Sequence, residues 1–200
     1  MLPTFDFASN YILEDEFVQL RPLTKDDYDL LLPFALNEPE IWKYSLITAA
    51  GAEGWKNYLN LALTAREEKK EYPFLVFDKR QQKYAGSTRF YDIQLSNQTL
   101  QLGYTWYGKD FQGTGLNKHC KFLLLEFAFE KMELERIEFR ADYANKRSIA
   151  AMQSLGCTVE GILRNHLPKF DGGRRDSVIL SILKDEWFAT AKAALKEKLL

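Results

Sequence analysis

The segment of this chain best suited to bind a ligand is the run Phe111 to Lys118, which reads FQGTGLNK and contains two glycines. The run lies between residues 99–107, which resemble a β-strand, and residues 120–128, whose apolar side chains recur at helical spacing. A glycine turn at the start of a helix presents backbone N–H groups without a partner inside the helix. With the helix dipole these groups form an anion site, suited best to phosphate or pyrophosphate. Gly113 and Gly115 let the backbone approach such a ligand, because neither has a Cβ.

The spacing of these glycines argues against two common phosphate motifs. A P-loop needs Gly-x-x-x-x-Gly-Lys followed by Ser or Thr, which the chain does not contain. A dinucleotide fingerprint needs a third glycine where Lys118 stands, so these glycines are weak evidence for a dinucleotide. An ordinary glycine loop before a helix is the alternative for this segment taken alone.

The order of residues from Gln112 to Leu116 resembles the pyrophosphate loop of the Gcn5-related N-acetyltransferase superfamily. That loop reads Gln or Arg, two residues, Gly, any residue, then Gly or Ala, and its last position is Asn117 here. Asparagine tolerates left-handed geometry and can cap a helix, so the turn can still form.

A second segment, residues 136–157, alternates like a strand and then continues as a helix that ends at Gly156. Asn145 is a suitable N-cap for this helix. The order Asn145-x-x-Ser148, followed by a helix ending in Leu-Gly, resembles the C-terminal half of the same superfamily. It is most similar to the branch of RimJ- and RimL-type ribosomal-protein N-terminal acetyltransferases, and the resemblance covers about residues 17 to 187.

The resemblance implies an α/β (α+β) fold, with a mixed, mostly antiparallel central sheet of six or seven strands flanked by helices. It also implies that the sheet is splayed open between its fourth and fifth strands. We expect one domain over residues 1–200, with a core at about 17–187 and a C-terminal helix at about 185–200 that Asp185 caps. The strands predicted from the residue pattern are 17–22, 72–77, 83–91, 99–107, 136–142, 157–163 and 174–183. The predicted helices begin near 25, 55 and 145 and after the glycine loop.

The composition is that of a soluble globular protein. Hydrophobic residues make up 46% of the 200 residues and the formal charge is −1, which argues against a nucleic-acid binder that relies on many Lys and Arg contacts. No run approaches the ~20 apolar residues of a membrane span, and the N-terminus does not read as a secretory signal. Cys120 and Cys157 fall on apolar faces, so we expect free buried thiols in a reducing cytoplasm.

The resemblance also implies acetyl-CoA as co-substrate. In the superfamily, backbone N–H groups late in the fourth strand bind pantetheine and polarise the thioester carbonyl, which corresponds here to the end of residues 99–107. The pyrophosphate is expected on the loop amides, and the Asn that caps the following helix contacts the pantetheine arm or nearby backbone. The predicted cofactor-binding residues are Trp106, Tyr107, Gln112, Gly113, Thr114, Gly115, Leu116, Asn117, Lys118 and Asn145. The sequence has no Cys/His metal cluster, so no metal is predicted.

Acyl transfer to an amine needs a proton acceptor and a proton donor. Many superfamily members carry a tyrosine that serves as general acid seven residues after the Asn. This chain has Met152 at that position, which cannot donate a proton. Ser148 is therefore the predicted donor to the leaving thiolate, with a purely structural helix hydroxyl as the alternative. His166, between the last two predicted strands, is the predicted base, because a pKa near ~6.5 suits the task; a surface histidine is the alternative. The carboxylates that could act instead are Glu138, Asp142 and Glu160, each of which can also pair with an arginine.

The leading hypothesis is direct acetyl transfer from acetyl-CoA to the α-amine of a protein or peptide. Two alternatives stay open: a small-molecule amine acetyltransferase of the same fold, and a non-catalytic CoA-binding regulatory domain. Met152 and Asn117 favour the non-catalytic alternative. The expected partners are acetyl-CoA and the amine acceptor, without nucleic acid or membrane, and the expected assembly is a monomer or a homodimer.

Overall fold

Eight strands form one sheet in the computed structural model of this chain, which describes residues 4–170 and 172–199. Their order in space is β1-β2-β3-β4-β5-β6-β8-β7, and all neighbours are antiparallel except β5 and β6. The strands are β1 Leu13–Glu14, β2 Val18–Pro22, β3 Tyr72–Asp78, β4 Lys83–Gln94, β5 Thr99–Tyr107, β6 Arg136–Asp142, β7 Thr158–Pro168 and β8 Arg174–Leu183. The mixed, mostly antiparallel sheet is confirmed. The strand beyond the predicted seven is the two-residue β1, so the predicted fourth and fifth strands are β5 and β6.

The sheet opens between β5 and β6. These parallel strands pair over only three positions, from Thr99↔Arg136 to Gln101↔Glu138. Their later residues pair only on the outer sides, β5 with β4 and β6 with β8. The backbone of β5 departs from extended geometry at Tyr104, whose φ is 48°. The predicted splay is therefore confirmed, and it leaves backbone groups on the facing edges of both strands unpaired within the sheet.

Helices cover the sheet on both faces. They are α1 Tyr28–Asn37, α2 Gly51–Glu67, α3 Leu116–Glu126, α4 Lys146–Ser154, α5 Lys184–Glu186 and α6 Lys192–Glu197. A short 3₁₀ turn, Lys25–Asp27, leads into α1, and π-helical turns at Phe127–Lys131 and Trp187–Ala191 follow α3 and α5. No described helix is long and apolar enough to cross a membrane.

Two buried clusters define the two faces. One contains Leu102 and Tyr107 of β5 together with residues of α3 and α6, and we call this side the α3 face. The other contains Trp106 together with residues of α1 and α2, and we call it the α1/α2 face. Trp106 and Tyr107 belong to different clusters because successive side chains of a strand point to opposite faces.

The two cysteines lie inside the protein on the α3 face. Cys120 and Cys157 are both free and buried, which confirms the expectation of unpaired thiols. Burial disfavours the thiolate and raises the pKa of each thiol to about 12. Neither group is therefore suited to act as a nucleophile near neutral pH.

Most predicted bounds agree with the structure, and three are corrected. β5, β6 and β8 have the predicted bounds, whereas α2 begins at Gly51 instead of Trp55. β7 continues to Pro168 because its pairing with β8 resumes after a register shift, so His166 lies in a strand and not in a loop.

The third correction concerns the last helical segment. It begins at Lys184, and the carboxylate of Glu186, not Asp185, accepts the Leu183 amide at 2.9 Å. The predicted end at Leu200 lies outside the described residues.

Candidate active site

The glycine loop stands at the free N-terminal end of α3. Gly113 and Gly115 have φ values of 80° and 89°, in the left-handed region that glycine adopts without strain. A Cβ placed on either residue would meet no protein atom within 4 Å. The space over the loop is thus open to a ligand, and the amides of the first turn of α3 are the groups that the sequence predicts to bind an anion.

Contacts from distant segments hold this loop in place. The Gln112 side chain donates to the Tyr107 carbonyl at 2.8 Å, which ties the loop to the end of β5. Arg80 donates to the Thr114 carbonyl at 3.2 Å, and Arg147 of α4 donates to Gln112 Oε1 at 2.7 Å. Both guanidinium groups add positive charge beside the anion site. Neither arginine could be predicted from the sequence, because no local pattern places residues more than thirty positions away at the loop.

The end of β5 can contact a ligand through its backbone but not through the side chains of Trp106 and Tyr107. Trp106 and Tyr107 are only 5% and 7% exposed, and their side chains pack in the two buried clusters. Both residues pair with β4, and Gly86 of β4 lets the strands approach, because a Cβ there would collide with the Trp106 carbonyl. Any contact with pantetheine would therefore come from the β5 edge that faces the splay.

The N-terminus of α4 lies beside the loop. Asn145 caps this helix, and its side chain accepts from the Ser148 amide at 3.1 Å. The contact of Arg147 with Gln112 brings this first turn next to the glycine loop. Ser148 is half-buried, whereas Met152 points into the core and is 7% exposed. Asn145 and Ser148 thus lie in the first turn of α4, beside the glycine loop.

His166 lies on β7 among positive charges. Its Nδ1 is buried and has no hydrogen-bond partner in the described part of the chain. Burial lowers the pKa of His166 and the charges of Arg140, Arg175 and Arg174 lower it further. The imidazole is therefore neutral near pH 7, which is the form that can accept a proton.

Two of the three alternative carboxylates are held by arginine. Glu138 accepts from Arg136 at 3.1 Å and from Arg140 at 2.7 Å. Glu160 binds Arg136 and Ser181, and the hydrogen bond from Arg136 lowers the pKa of Glu160. Glu160 is therefore a weaker base than His166, because its ion pair stabilises the charged form.

Asp142, the third carboxylate, is buried, accepts from the Ala144 amide at 2.8 Å and lies 3.7 Å from Lys169 Nζ. The other histidine, His119, is bound to Asp15 at 2.7 Å beneath Phe17, away from the splay. Across residues 4–170 and 172–199, no three His, Cys, Asp or Glu side chains are placed to share a metal ion.

Three buried cations at the splay were not predicted. Lys121 of α3 is 4% exposed, Arg89 of β4 is 2% exposed and Arg175 of β8 is 7% exposed. The sequence gives no signal for them, because each lies in a segment that otherwise reads as an ordinary helix or strand.

A sheet that splays between two parallel strands, with a glycine loop at the start of the next helix, defines the class of acyltransferases that take a CoA thioester. The family model described as "Acetyltransferase (GNAT) domain" matches residues 18–158, and the chain belongs to this family. The fold and the family together identify an N-acetyltransferase.

Relatives agree with this assignment. The chain is 32% identical over 102 residues to YdaF of Bacillus subtilis (strain 168), named as a candidate ribosomal N-acetyltransferase; the match covers 51% of this chain and 55% of that protein. A Gcn5-related N-acetyltransferase from Brucella melitensis superposes with a TM-score of 0.89 at 24% identity, over 100% of this chain and 90% of its own. RimJ of Mycobacterium smegmatis, solved in complex with CoA-disulfide, has a TM-score of 0.79 at 19% identity, over 94% and 93%.

Proposed function

We propose that this chain transfers the acetyl group of acetyl-CoA directly to the α-amine of a protein or peptide. The observation that carries the proposal is the glycine loop, which lies at the open end of the splay with free space above both glycines. The CoA-disulfide bound to RimJ supports a CoA ligand, and the ribosomal name of YdaF supports a protein acceptor.

The roles of the residues follow from their positions. The amides at the start of α3 bind the pyrophosphate, with Arg80, Arg147 and Lys118 adding positive charge. The free edge of β5 holds the pantetheine arm and donates to the thioester carbonyl. When bound, acetyl-CoA supplies an acetyl thioester that an amine can attack without a covalent enzyme intermediate.

Two side chains would move the protons. His166 accepts the proton of the attacking amine, since its lowered pKa keeps it neutral near pH 7. Ser148, on the first turn of α4, donates to the departing thiolate. An α-amine has a pKa near ~8, so part of it is already neutral at physiological pH and a modest base suffices.

A small amine is the second candidate acceptor. One observation favours it: Arg175 of β8 reaches the Tyr44 carbonyl at 3.4 Å, which joins the α1–α2 connection to the β7–β8 hairpin. A contact between these two segments would restrict the entry of a peptide between them. The buried free thiols fit a reducing compartment, so we place the activity in the cytoplasm.

The decisive experiment measures CoA release from acetyl-CoA with two acceptor panels. One panel contains peptides that carry the N-terminal sequences of ribosomal proteins, and the other contains amino acids and polyamines. Turnover with peptides alone supports the proposal, and turnover with small amines alone supports the second candidate. Binding of CoA without turnover on either panel would leave a CoA-binding domain and overturn both.

A further inference from the structure

Arg175 is a buried arginine that forms no ion pair with any carboxylate of the described residues. The side chain is 7% exposed, yet among residues 4–170 and 172–199 no carboxylate lies within 4.0 Å of its guanidinium. Its Nε donates to Ser177 Oγ at 3.0 Å, and its Nη1 reaches the Tyr44 carbonyl at 3.4 Å. A guanidinium has five N–H groups and stays charged, so donor capacity remains after these contacts.

The position of Arg175 is across the splay from β5. Ser177, its neighbour on β8, pairs with Asp142 at the last residue of β6. Tyr44 follows Trp42 by two residues, and Trp42 packs on Trp106 at the end of β5 with ring centroids 5.1 Å apart. Arg175 therefore stands on the α1/α2 face where the ends of β5 and β6 diverge, which is where the acceptor would meet the thioester.

Hydrogen-bond donors dominate this part of the face. The indole N–H groups of Trp42 and Trp106 are buried without partners in the described residues. Unsatisfied buried donors are costly and mark places where a ligand can supply the missing acceptors.

Arg89 shows how the protein compensates an arginine that it keeps for structure. This side chain is 2% exposed, binds Glu71 at 2.6 Å, and lies over the rings of Tyr58 and Tyr104. Within residues 4–170 and 172–199 Arg175 has no such partner: Asp142 accepts from the Ala144 amide and lies beyond 4.0 Å from the guanidinium. The difference singles out Arg175 as the residue free to bind an anion.

We propose that the acceptor of this enzyme carries a carboxylate close to its amine and that Arg175 binds this carboxylate. Arginine is suited to this role because its planar fork can bind both carboxylate oxygens. The carboxylate can be the α-carboxylate of an amino acid or the side chain of an acidic residue at a peptide N-terminus. This inference rests on the proposed acetyl transfer and specifies its acceptor.

The test uses acceptors in pairs that differ only in carboxylate and carboxamide. One arm compares amino acids with their amides, and the other compares peptides beginning with Asp or Glu with those beginning with Asn or Gln. We expect kcat/KM to favour the carboxylate member by about tenfold or more in one arm, which then identifies the source. Equal kcat/KM within the pairs of both arms would overturn the inference while leaving acetyl transfer intact. An enzyme that acetylates no member of any pair would overturn both.

Variants then assign the preference to one residue. Arg175→Gln should abolish the preference mainly through KM, Arg175→Lys should keep part of it, and the exposed Arg164→Gln on β7 is the matched control that should keep all of it. Calorimetry of CoA binding checks that each variant is folded. A preference that survives in folded Arg175→Gln would overturn the assignment. If Arg175→Gln does not fold, the wild-type pairs and Arg175→Lys still decide the question.

Discussion

The two faces of the sheet each bury a cation at the splay, and they differ in how that charge is accommodated. On the α3 face, Lys121 Nζ donates to Thr105 Oγ1 at 2.7 Å and to Thr88 Oγ1 at 3.2 Å. On the α1/α2 face, Arg175 has one serine hydroxyl and one carbonyl as partners. Neither cation has a carboxylate within 4.0 Å in the part of the chain that the structure describes.

The difference follows from the chemistry of the two side chains. Burial lowers the pKa of Lys121 to about 8, so this amine can release its proton and avoid the cost of a buried charge. Arginine cannot do so at any physiological pH. The α3 face can therefore lose its buried charge as the pH rises through 8, whereas the α1/α2 face keeps its charge at every physiological pH, and a ligand can neutralise that charge.

The largest expected effect is on the pH dependence of the free energy of unfolding. The unfolded chain holds a lysine proton up to pH ~10.4, whereas folded Lys121 loses it near pH 8. Between these values the unfolded state binds more protons, so Lys121 makes the free energy of unfolding rise with pH, by about 3 kcal/mol in total. In Lys121→Met this contribution disappears. Urea unfolding from pH 7 to 10.5 measures it as the difference between wild type and variant.

Taking the difference removes most of the opposing contribution of Cys120 and Cys157, which both proteins contain. Exposed Lys25→Met is the control for replacing a lysine. A difference between wild type and Lys121→Met that stays constant with pH would mean that Lys121 keeps an ordinary pKa.

The next effect concerns His166 of β7. If His166 accepts the amine proton, kcat/KM rises with pH through a group that titrates below its ordinary ~6.5, because burial and nearby arginines lower the pKa, and then levels off. His166→Ala should remove this limb and lower kcat/KM by roughly 10²-fold without changing CoA affinity. Ionisation of the acceptor amine also makes kcat/KM rise with pH. Measurements with acceptors of different amine pKa separate the two rises, because only the one due to the amine moves with the acceptor. His119→Ala, which removes the other imidazole, should keep the limb.

If kcat/KM rises with pH only once, at a pH that follows the pKa of the acceptor amine, His166 is not the base. Glu138, Asp142, Glu160 or a water chain would then be the better candidates.

An effect of up to about 10²-fold is expected at Ser148, on the α3 side. Ser148→Ala should lower kcat, with acetyl-CoA affinity nearly unchanged, because the hydroxyl acts on the leaving thiolate. Ser154→Ala, at the other end of α4, is the control for losing a hydroxyl from the same helix. Steady-state turnover near the wild-type level in Ser148→Ala would assign this residue a structural role. Met152→Tyr tests whether a tyrosine at this position can restore the lost donor.

The smallest effect is expected at the glycine loop, where Gly115→Val should weaken CoA binding by about tenfold. The valine fills the space above the loop and strains a left-handed backbone. Gly51→Val is a close control, since Gly51 begins α2 with φ 76° and a Cβ there also meets nothing within 4 Å. Calorimetry that finds equal CoA affinity in folded Gly115→Val and wild type would contradict the assignment of the loop.

The cofactor side could be predicted from the sequence, and the acceptor side largely could not. The glycine loop, the bounds of β5 and β6 and the Asn145 cap follow from local patterns within about ten residues. The long-range pairings that bring Arg80 and Arg147 to the loop, and Tyr44 to Arg175, follow no such pattern. His166 stays a predicted base, and its place in a strand was missed because β7 continues through an irregular register that alternation cannot detect.

The sequence was sufficient to identify the family, and through that resemblance the splayed sheet. It also predicted the glycine turn before α3, because a strand–glycine–helix junction is formed by residues that are neighbours in the chain. Only the tertiary structure decided which cations are buried and which are compensated. Burial and partners depend on how distant segments pack. Two arginines therefore differ in role: Arg89 is held by an ion pair, and Arg175 is the one proposed to bind a ligand. The reason is physical: the cost of a buried charge depends on its solvation and its partners, which exist only after the chain has folded.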